Sequence, residues 1–503
     1  MQPNRGRLMW ASFLTLIAAG MGFAVRGGLL AEWAAEFGFT QFELGTITGM
    51  GFAGFGLVII FASLLTDRVG YRAILASALV LHVLSLIITL AATPAFSVLG
   101  KDAAYWCLYV GVFVFAVANG LCETAINPLI ANIYPEKKTH YLNILHAGWP
   151  AGLVIGGLLG QVLVGTVRWE IPLALYGIPT IWYGIIILKE AFPDSDVKKA
   201  GISIGQMLAE FASPVLLFLL ILHAGVGYVE LGTDSWITNI TNSLLTGQGF
   251  MLFVYASSLM FILRFFAGPI VEKINPLGLL CVSTALGTTG LLLLGYVRGA
   301  VLIWVAVTIY GLGKTFLWPT MLGIVGERFP RGGAITMGAI GGAGALSAGF
   351  LGGPLIGYKQ DVNATAYLKK EDHQATYDRY KSGKESKVLL GALPSIQGLD
   401  GQKVGTLLDG GAKLEADFKT FADNEMVKEH HDWWTKTGKP NEPKDKTPIG
   451  DARIYGGQRA LTLTAIVPAC MFVGYLLLVF YFKSKGGYTE VDLKDKGKDD
   501  KEG

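Results

Sequence analysis

The chain has 503 residues, 52% of them hydrophobic and only 16% charged, with a formal net charge of +3. A soluble domain averages about 25% charged residues, so most of this surface is expected to face lipid. So small a net charge points to no nucleic-acid partner, and Cys107, Cys122, Cys281 and Cys470 lie in apolar stretches without metal-ligand spacing.

Twelve apolar stretches are long enough to cross a bilayer, near residues 8–30, 44–65, 73–93, 105–132, 142–166, 171–189, 213–238, 249–270, 277–297, 301–326, 333–358 and 459–482. They predict an all-α membrane protein of twelve transmembrane helices. Arg5 and Arg7 precede the first stretch, as in a signal peptide, but no convincing small-residue cleavage site follows. That stretch therefore reads as an uncleaved first helix. With the N-terminus inside, the inner segments collect most loop cations, Arg68, Arg72, Lys137, Lys138, Arg264 and Lys273 among them. The short outer loops hold Lys101, Arg168 and Arg298. This bias puts both termini in the cytoplasm, in a multi-pass protein of a bacterial inner membrane.

Arg26, Glu123, Glu230 and Lys314 sit inside apolar runs, in the first, fourth, seventh and tenth segments. Each costs roughly 2.5–3.5 kcal/mol or more at a helix centre, so each is expected to have a partner or a task. The three-segment spacing reflects a repeat. SLLTDRVGYR (63–72) after the second segment matches GPIVEKINPLG (268–278) after the eighth. ETAINP (123–128) matches KTFLWP (314–319), AGMGFAVR (19–26) matches AGVGYVEL (224–231), and GGLLG (156–160) matches GGPLIG (352–357). The correspondences keep their order, which predicts two pseudo-symmetric six-helix halves, 1–189 and 213–482, joined by a cytoplasmic linker at 190–212. Repeats of this kind place a substrate site near the bilayer midplane between the halves.

Residues 359–457 interrupt the second half with sixteen basic and sixteen acidic residues, a polar extracytoplasmic insertion between the last two helices. KLEADFKTFADNEMVKEHHDWW (413–434) has helical patterning, and PNEPKDKTP (440–448) reads as a linker. The insertion is either a cap over the outer mouth or a passive spacer. The tail, 483–503, is expected to be disordered.

Glu123 is the strongest candidate for proton coupling, because a poorly solvated cavity favours the neutral carboxyl. Glu230 is the second. The repeat makes Lys314 the counterpart of Glu123, facing it across the cavity, and Arg26 the near-counterpart of Glu230. The four could form salt bridges that exchange partners, or a static network. Arg26 and Lys314 could instead grip an anionic solute. Asn119, Asn127, Asn143, His146 and Gln161 supply donors and acceptors, and Trp149, Trp236 and Trp318 supply flat apolar faces. Amides with aromatic platforms suit a sugar. Asp67, Arg68, Gly70 and Arg72, with Glu272 and Lys273 in the second half, sit in tight cytoplasmic turns and read as gating residues.

The DRVGYR turn (67–72), with the two-half pattern, resembles the major facilitator superfamily over nearly the whole chain outside the insertion and tail. Ser63 stands where that signature usually has its first glycine. Within the superfamily, FGFTQFELG (37–45), ETAINP and LNILHAGW (142–149) resemble the fucose–proton symporter family. That family usually reads glutamine at His146, asparagine at Trp149 and an acidic coupling residue where this chain has Arg26-Gly27. The resemblance implies a coupling role for Glu123, and a sugar and protons as partners. The leading expectation is a secondary active transporter taking up a small polar solute, a sugar, with protons by alternating access. The alternative is an organic-anion or sugar-acid carrier using Arg26 and Lys314. A non-transporting sensor with the insertion as recognition part would have little need of buried ionisable groups. No nucleophile–base pair, nucleotide loop or metal cluster suggests an enzyme, and no cofactor is expected.

Overall fold

The computed structural model describes residues 3–39, 44, 46–48, 51–371, 373–383, 385, 391–420 and 424–493. Residues 40–43 and 45 of FGFTQFELG, and 494–503 of the tail, lie outside the described residues. The long helices of the first half are α1 (Arg5–Gly28), α2 (Gly51–Val69), α3 (Tyr71–Leu99), α4 (Lys101–Ile133), α5 (Pro135–Leu163) and α6 (Glu170–Lys189). Those of the second half are α7 (Pro214–Leu244), α8 (Gly249–Arg264), α9 (Ala267–Tyr296), α10 (Ala300–Arg328), α11 (Pro330–Lys370) and α12 (Lys439–Thr464, continued by Ile466–Ser484). No β-strand forms among the described residues, where Lys381 and Leu399 make an isolated bridge. Ten helices among the described residues are long and apolar enough to cross a membrane, and α8 is a shorter apolar helix.

Glycine sets how closely the helices approach. A Cβ on Gly152 of α5 would meet the backbone of Ile17 and Met21 on α1 at 2.4 and 2.8 Å, so only glycine lets the two backbones touch. In the second half the same contact joins α7 and α11, where Gly227 lies against the backbone of Gly344. Close backbone approach of this kind is how membrane helices associate where lipid supplies no hydrophobic drive.

Several helices are interrupted, and prolines account for two of the breaks. α5 breaks at Ala147, ahead of Pro150, and α10 breaks at Thr315–Phe316, ahead of Pro319. Proline has no N–H, so the carbonyls four residues earlier, His146 and Thr315, lose their helical donors. α7 passes through a π-helical turn at Tyr228–Gly232 and α11 through another at Ala348–Gly352. Such turns are frequent at functional sites.

The insertion folds between the end of α11 and the start of α12. Helices Gln374–Tyr380, Gly401–Asp409, Ala412–Thr420 and Glu425–Trp433 enclose a core that includes Leu368, Tyr377, Tyr380, Leu407, Leu414, Trp434 and Ile449. The linker expected at 440–448 is instead the first part of α12, despite Pro443 and Pro448. Tertiary packing overrides the prolines: Ile449 and Ala452 enter the core, and fully buried Asp445 is gripped by Arg379 at 2.5 and 2.7 Å and by Thr376 at 2.8 Å. Arg379→Ala should leave that carboxylate buried and unpaired, at a cost of about 3–5 kcal/mol. Hydrogen exchange should then rise within 371–452 and stay unchanged in α1–α6; uniform protection would mean that the pair is dispensable.

The expected disorder of 483–503 is corrected for its first part. Val491 N donates to Glu327 O at 2.9 Å, Tyr488 OH to the Glu327 carboxylate at 2.5 Å, and Arg328 Nη1 to Thr489 O at 2.6 Å. A polar composition did not prevent docking, because the end of α10 offers a carboxylate and open carbonyls that the tail can satisfy.

Candidate functional site

A cavity of about 840 Å³ lies between the halves, walled by α1, α2, α4, α5, α7, α8 and α10. It runs from His146, Trp318 and Arg264 out to Gly28, Gln161 and Thr238 at the opposite helix ends. Polar contacts across the halves close the face that carries the termini. Asn143 Nδ2 reaches Thr320 Oγ1 at 3.2 Å, Thr139 Oγ1 meets Glu327 at 2.5 Å, and Lys138 Nζ meets Gly326 O at 3.1 Å. Farther out, Gly268 N donates to His140 Nδ1 at 3.0 Å and Lys137 pairs with Glu272 at 2.8 Å. Asp67 accepts from Ala334 N at 3.0 Å, so a carboxylate of the first half caps the start of an α11 helical segment in the second.

The buried charges pair differently from the sequence expectation. Lys314, 1% exposed, is held at 2.5 and 2.6 Å by both oxygens of Asp234, one turn beyond Glu230 on α7. It therefore neither faces Glu123 nor lines the cavity. Glu230 does line the cavity, from the π-helical turn of α7, and pairs with Arg264 at 3.0 Å rather than with Arg26.

Arg264 departs from the expectation of a loop cation: it is 1% exposed. Its Nη1 donates to His146 O at 2.6 Å and its Nε to Thr315 O at 2.8 Å, the two carbonyls released by Pro150 and Pro319. One guanidinium thus satisfies the proline breaks of α5 and α10 and the Glu230 carboxylate, and it joins the two halves. Apolar neighbours on both sides, in FILRFFAG (261–268), were the available signal that no loop begins there. Asp234 could have been found as a second carboxylate inside the apolar stretch 213–238.

Glu123 lies in the cavity wall on α4. Its Oε2 accepts from Asn127 Nδ2 at 2.7 Å and stands 3.9 Å from His146 Nε2, and the same His146 nitrogen is 2.9 Å from Asn127 Oδ1. No arginine or lysine ion-pairs with it among the described residues. Arg26, also in the wall and 4% exposed, makes no ion pair among the described residues either. It is stacked on Phe115, with the guanidinium carbon 3.9 Å from the ring centre.

Asn119, His146, Trp149, Gln161 and Trp318 line the cavity with Arg26. Asn127, Asn143, Trp236 and Lys314, expected to contact solute, are not among the residues that line it. Asn127 serves Glu123 from behind, Asn143 ties α5 to α10, and Trp236 donates to Gly353 O at 2.8 Å between α7 and α11. Among the expected gating residues, Asp67 and Glu272 bridge the halves. Arg72 instead donates to Leu188 O of its own half at 2.5 Å, and Gly70 supplies the positive φ of 91° in the turn between α2 and α3. Arg68 and Lys273 are exposed and make no ion pair among the described residues.

A model of the Major Facilitator Superfamily matches residues 12–353. The chain belongs to this superfamily. It is accordingly an integral, multi-pass membrane protein of a transporter class and not an enzyme. The facilitator is 28% identical over 137 residues to the L-fucose-proton symporter of Escherichia coli (strain K12), covering 27% of this chain and 30% of that relative. It is 25% identical over 161 residues to the niacin transporter NiaP of Acinetobacter baylyi (strain ATCC 33305 / BD413 / ADP1), covering 32% of this chain and 34% of that relative. The matches thus span about a third of these curated relatives. Among solved structures, the outward conformation of the fucose transporter FucP superposes with a TM-score of 0.58 at 18% identity, over 71% of this chain and 92% of that one. A bacterial homologue of the human lysosomal transporter Spinster, inward-facing and unoccupied, gives 0.62 at 15% identity, over 98% and 100%. Identities this low show the fold alone.

Proposed function

We propose that this facilitator is a secondary active transporter that moves a small, polyhydroxylated solute of sugar size together with protons by alternating access. The observation that carries the reading is Glu123, a carboxyl in the cavity wall without an arginine or lysine ion-pair partner among the described residues, whereas Glu230 and Asp234 each have one. A carboxylate already bound to a cation has little reason to take up a proton; one held by an amide can change its charge. Asn119, Gln161, Ser235 and Thr238 offer hydrogen bonds to hydroxyls, while Trp149 and Trp318 offer faces to a pyranose. The names of the relatives, a fucose–proton symporter and a proton:xylose symporter of similar fold, favour a sugar with protons. In this reading α2 and α8 complete twelve spans, both termini are cytoplasmic, and the cavity faces outward. Counterflow in proteoliposomes against a panel of neutral sugars and sugar acids tests it. A pH gradient, acid outside, should drive accumulation of at least one of them, and no gradient-driven uptake across the panel would sink the reading.

The Asp67 cap is the proposed gate on the termini-bearing side. Asp67→Asn removes the charge from the start of the α11 segment, a contribution of about 0.3–1 kcal/mol. Electron-spin distances between labels on the loops after α2 and α8 should then shift toward populations opened on that face. Distances identical to the parent protein would leave Asp67 no gating role.

A further inference from the structure

Arg26 is a buried cation set among neutral partners. Its Nη1 donates to Gly22 O at 3.1 Å, and its Nη2 to Ser85 Oγ at 3.2 Å and Tyr176 OH at 3.5 Å. Both hydroxyls are committed as acceptors toward it, because Ser85 donates its own proton to Gly111 O at 2.7 Å and Tyr176 donates to His82 O at 3.1 Å. The rings of Phe115 and Tyr176 flank the guanidinium, with centres 3.9 and 4.9 Å from its carbon. A Cβ on Gly22 would lie 2.8 Å from Nη1 and clash with the Phe115 ring, so the glycine holds the seat open. Four helices, α1, α3, α4 and α6, therefore build a fixed position for this one group. None of them supplies an acidic partner among the described residues, and the buried Nε–H has no acceptor.

Charge counting in the cavity gives the second observation. Arg264 cancels Glu230 and Lys314 cancels Asp234. His146 rests on Asn127 and His82 on Asn119 and Tyr183, and as neutral imidazoles they add no formal charge. Among the described residues, what remains in the wall is Arg26 against Glu123. When Glu123 carries a proton, the cavity holds one uncompensated positive charge, and a buried charge without a counterion is unfavourable.

We infer that Arg26 is an anion subsite of the transport cavity, and that the solute carries one carboxylate that docks on its guanidinium. Arginine accepts such a group in charge-assisted hydrogen bonds, and here it is pre-positioned with Nε–H unoccupied. Proton on Glu123 and carboxylate on Arg26 then restore neutrality together, so one proton travels with one anion and the step moves no net charge. This rests on the proton-coupled reading above and narrows its substrate class from sugars to sugar acids and similar monocarboxylates.

The test uses the purified full-length protein and compounds matched except for the carboxylate: glucose with glucuronate, galactose with galacturonate, nicotinamide with nicotinate. Titration calorimetry and counterflow should show at least one acid binding and exchanging tenfold or more better than its neutral partner. Arg26→Gln, checked for monodispersity, should lower that acid's affinity at least tenfold and the neutral partner's by less, with Arg26→Lys in between. Acid uptake under a pH gradient should not respond to a valinomycin-imposed potential. Preference for neutral members, no carboxylate binding anywhere in the panel, or an acid preference that survives Arg26→Gln would each overturn the subsite. The parent protein alone decides the first two, so an unstable variant does not block the test. If Glu123→Gln still accumulates the acid uphill while Arg26→Gln abolishes its binding, the subsite stands and the coupling role of Glu123 falls.

Discussion

Glu123→Gln is expected to abolish uphill accumulation of solute while sparing exchange at equal concentrations. The substitution keeps the shape of the side chain and a hydrogen-bonding oxygen for Asn127 Nδ2, now at 2.7 Å from Glu123 Oε2. It removes only the capacity to gain and lose a proton. A pH gradient then has nothing to act on at this position, so the steady-state concentration ratio should fall to one, while counterflow continues. Because Asn127 donates to that carboxyl, Asn127→Ala should weaken coupling less, by shifting the pH dependence without eliminating it. Undiminished pH-driven accumulation in Glu123→Gln would remove the residue from the mechanism.

The second large effect is expected at Arg264. Arg264→Met would leave Glu230 buried and unpaired and expose two buried carbonyls, His146 O and Thr315 O, without donors. Breaking a buried pair by removing one partner costs about 3–5 kcal/mol, and each orphaned carbonyl adds about 1–3 kcal/mol. The variant should lose much of its thermal stability in detergent. Arg264→Met combined with Glu230→Gln should recover part of that loss, since no buried charge is then left alone. It should not recover transport, because the link between the proline breaks of α5 and α10 is still missing. Full transport in the double variant would show that Arg264 serves stability only.

The two predictions rest on residues of unequal visibility. Glu123 stood out in the sequence because an acid in an apolar run, five residues before Pro128, has few bland explanations. Arg264 did not, because a basic residue at the end of an apolar run is usually topogenic. The tertiary structure folds it inward, where two prolines have already stripped two carbonyls of their donors. Lys314 erred in the opposite direction. Its place in the repeat suggested a partner across the cavity, but Asp234 lies nearer, on α7 of the same half.

The sequence by itself determined the membrane class and the residues that cannot sit in lipid without a reason. Lipid imposes these uniformly: each spanning segment must be apolar, and every charge within it is conspicuous. Only the tertiary structure decided which charge meets which. Pairing depends on helix rotation and on glycine contacts such as Gly152 against α1, and sequence separation carries neither. The same reason explains the insertion, where packing of Ile449 and the grip of Arg379 on Asp445 made a helix from a proline-rich stretch that local propensity reads as a linker.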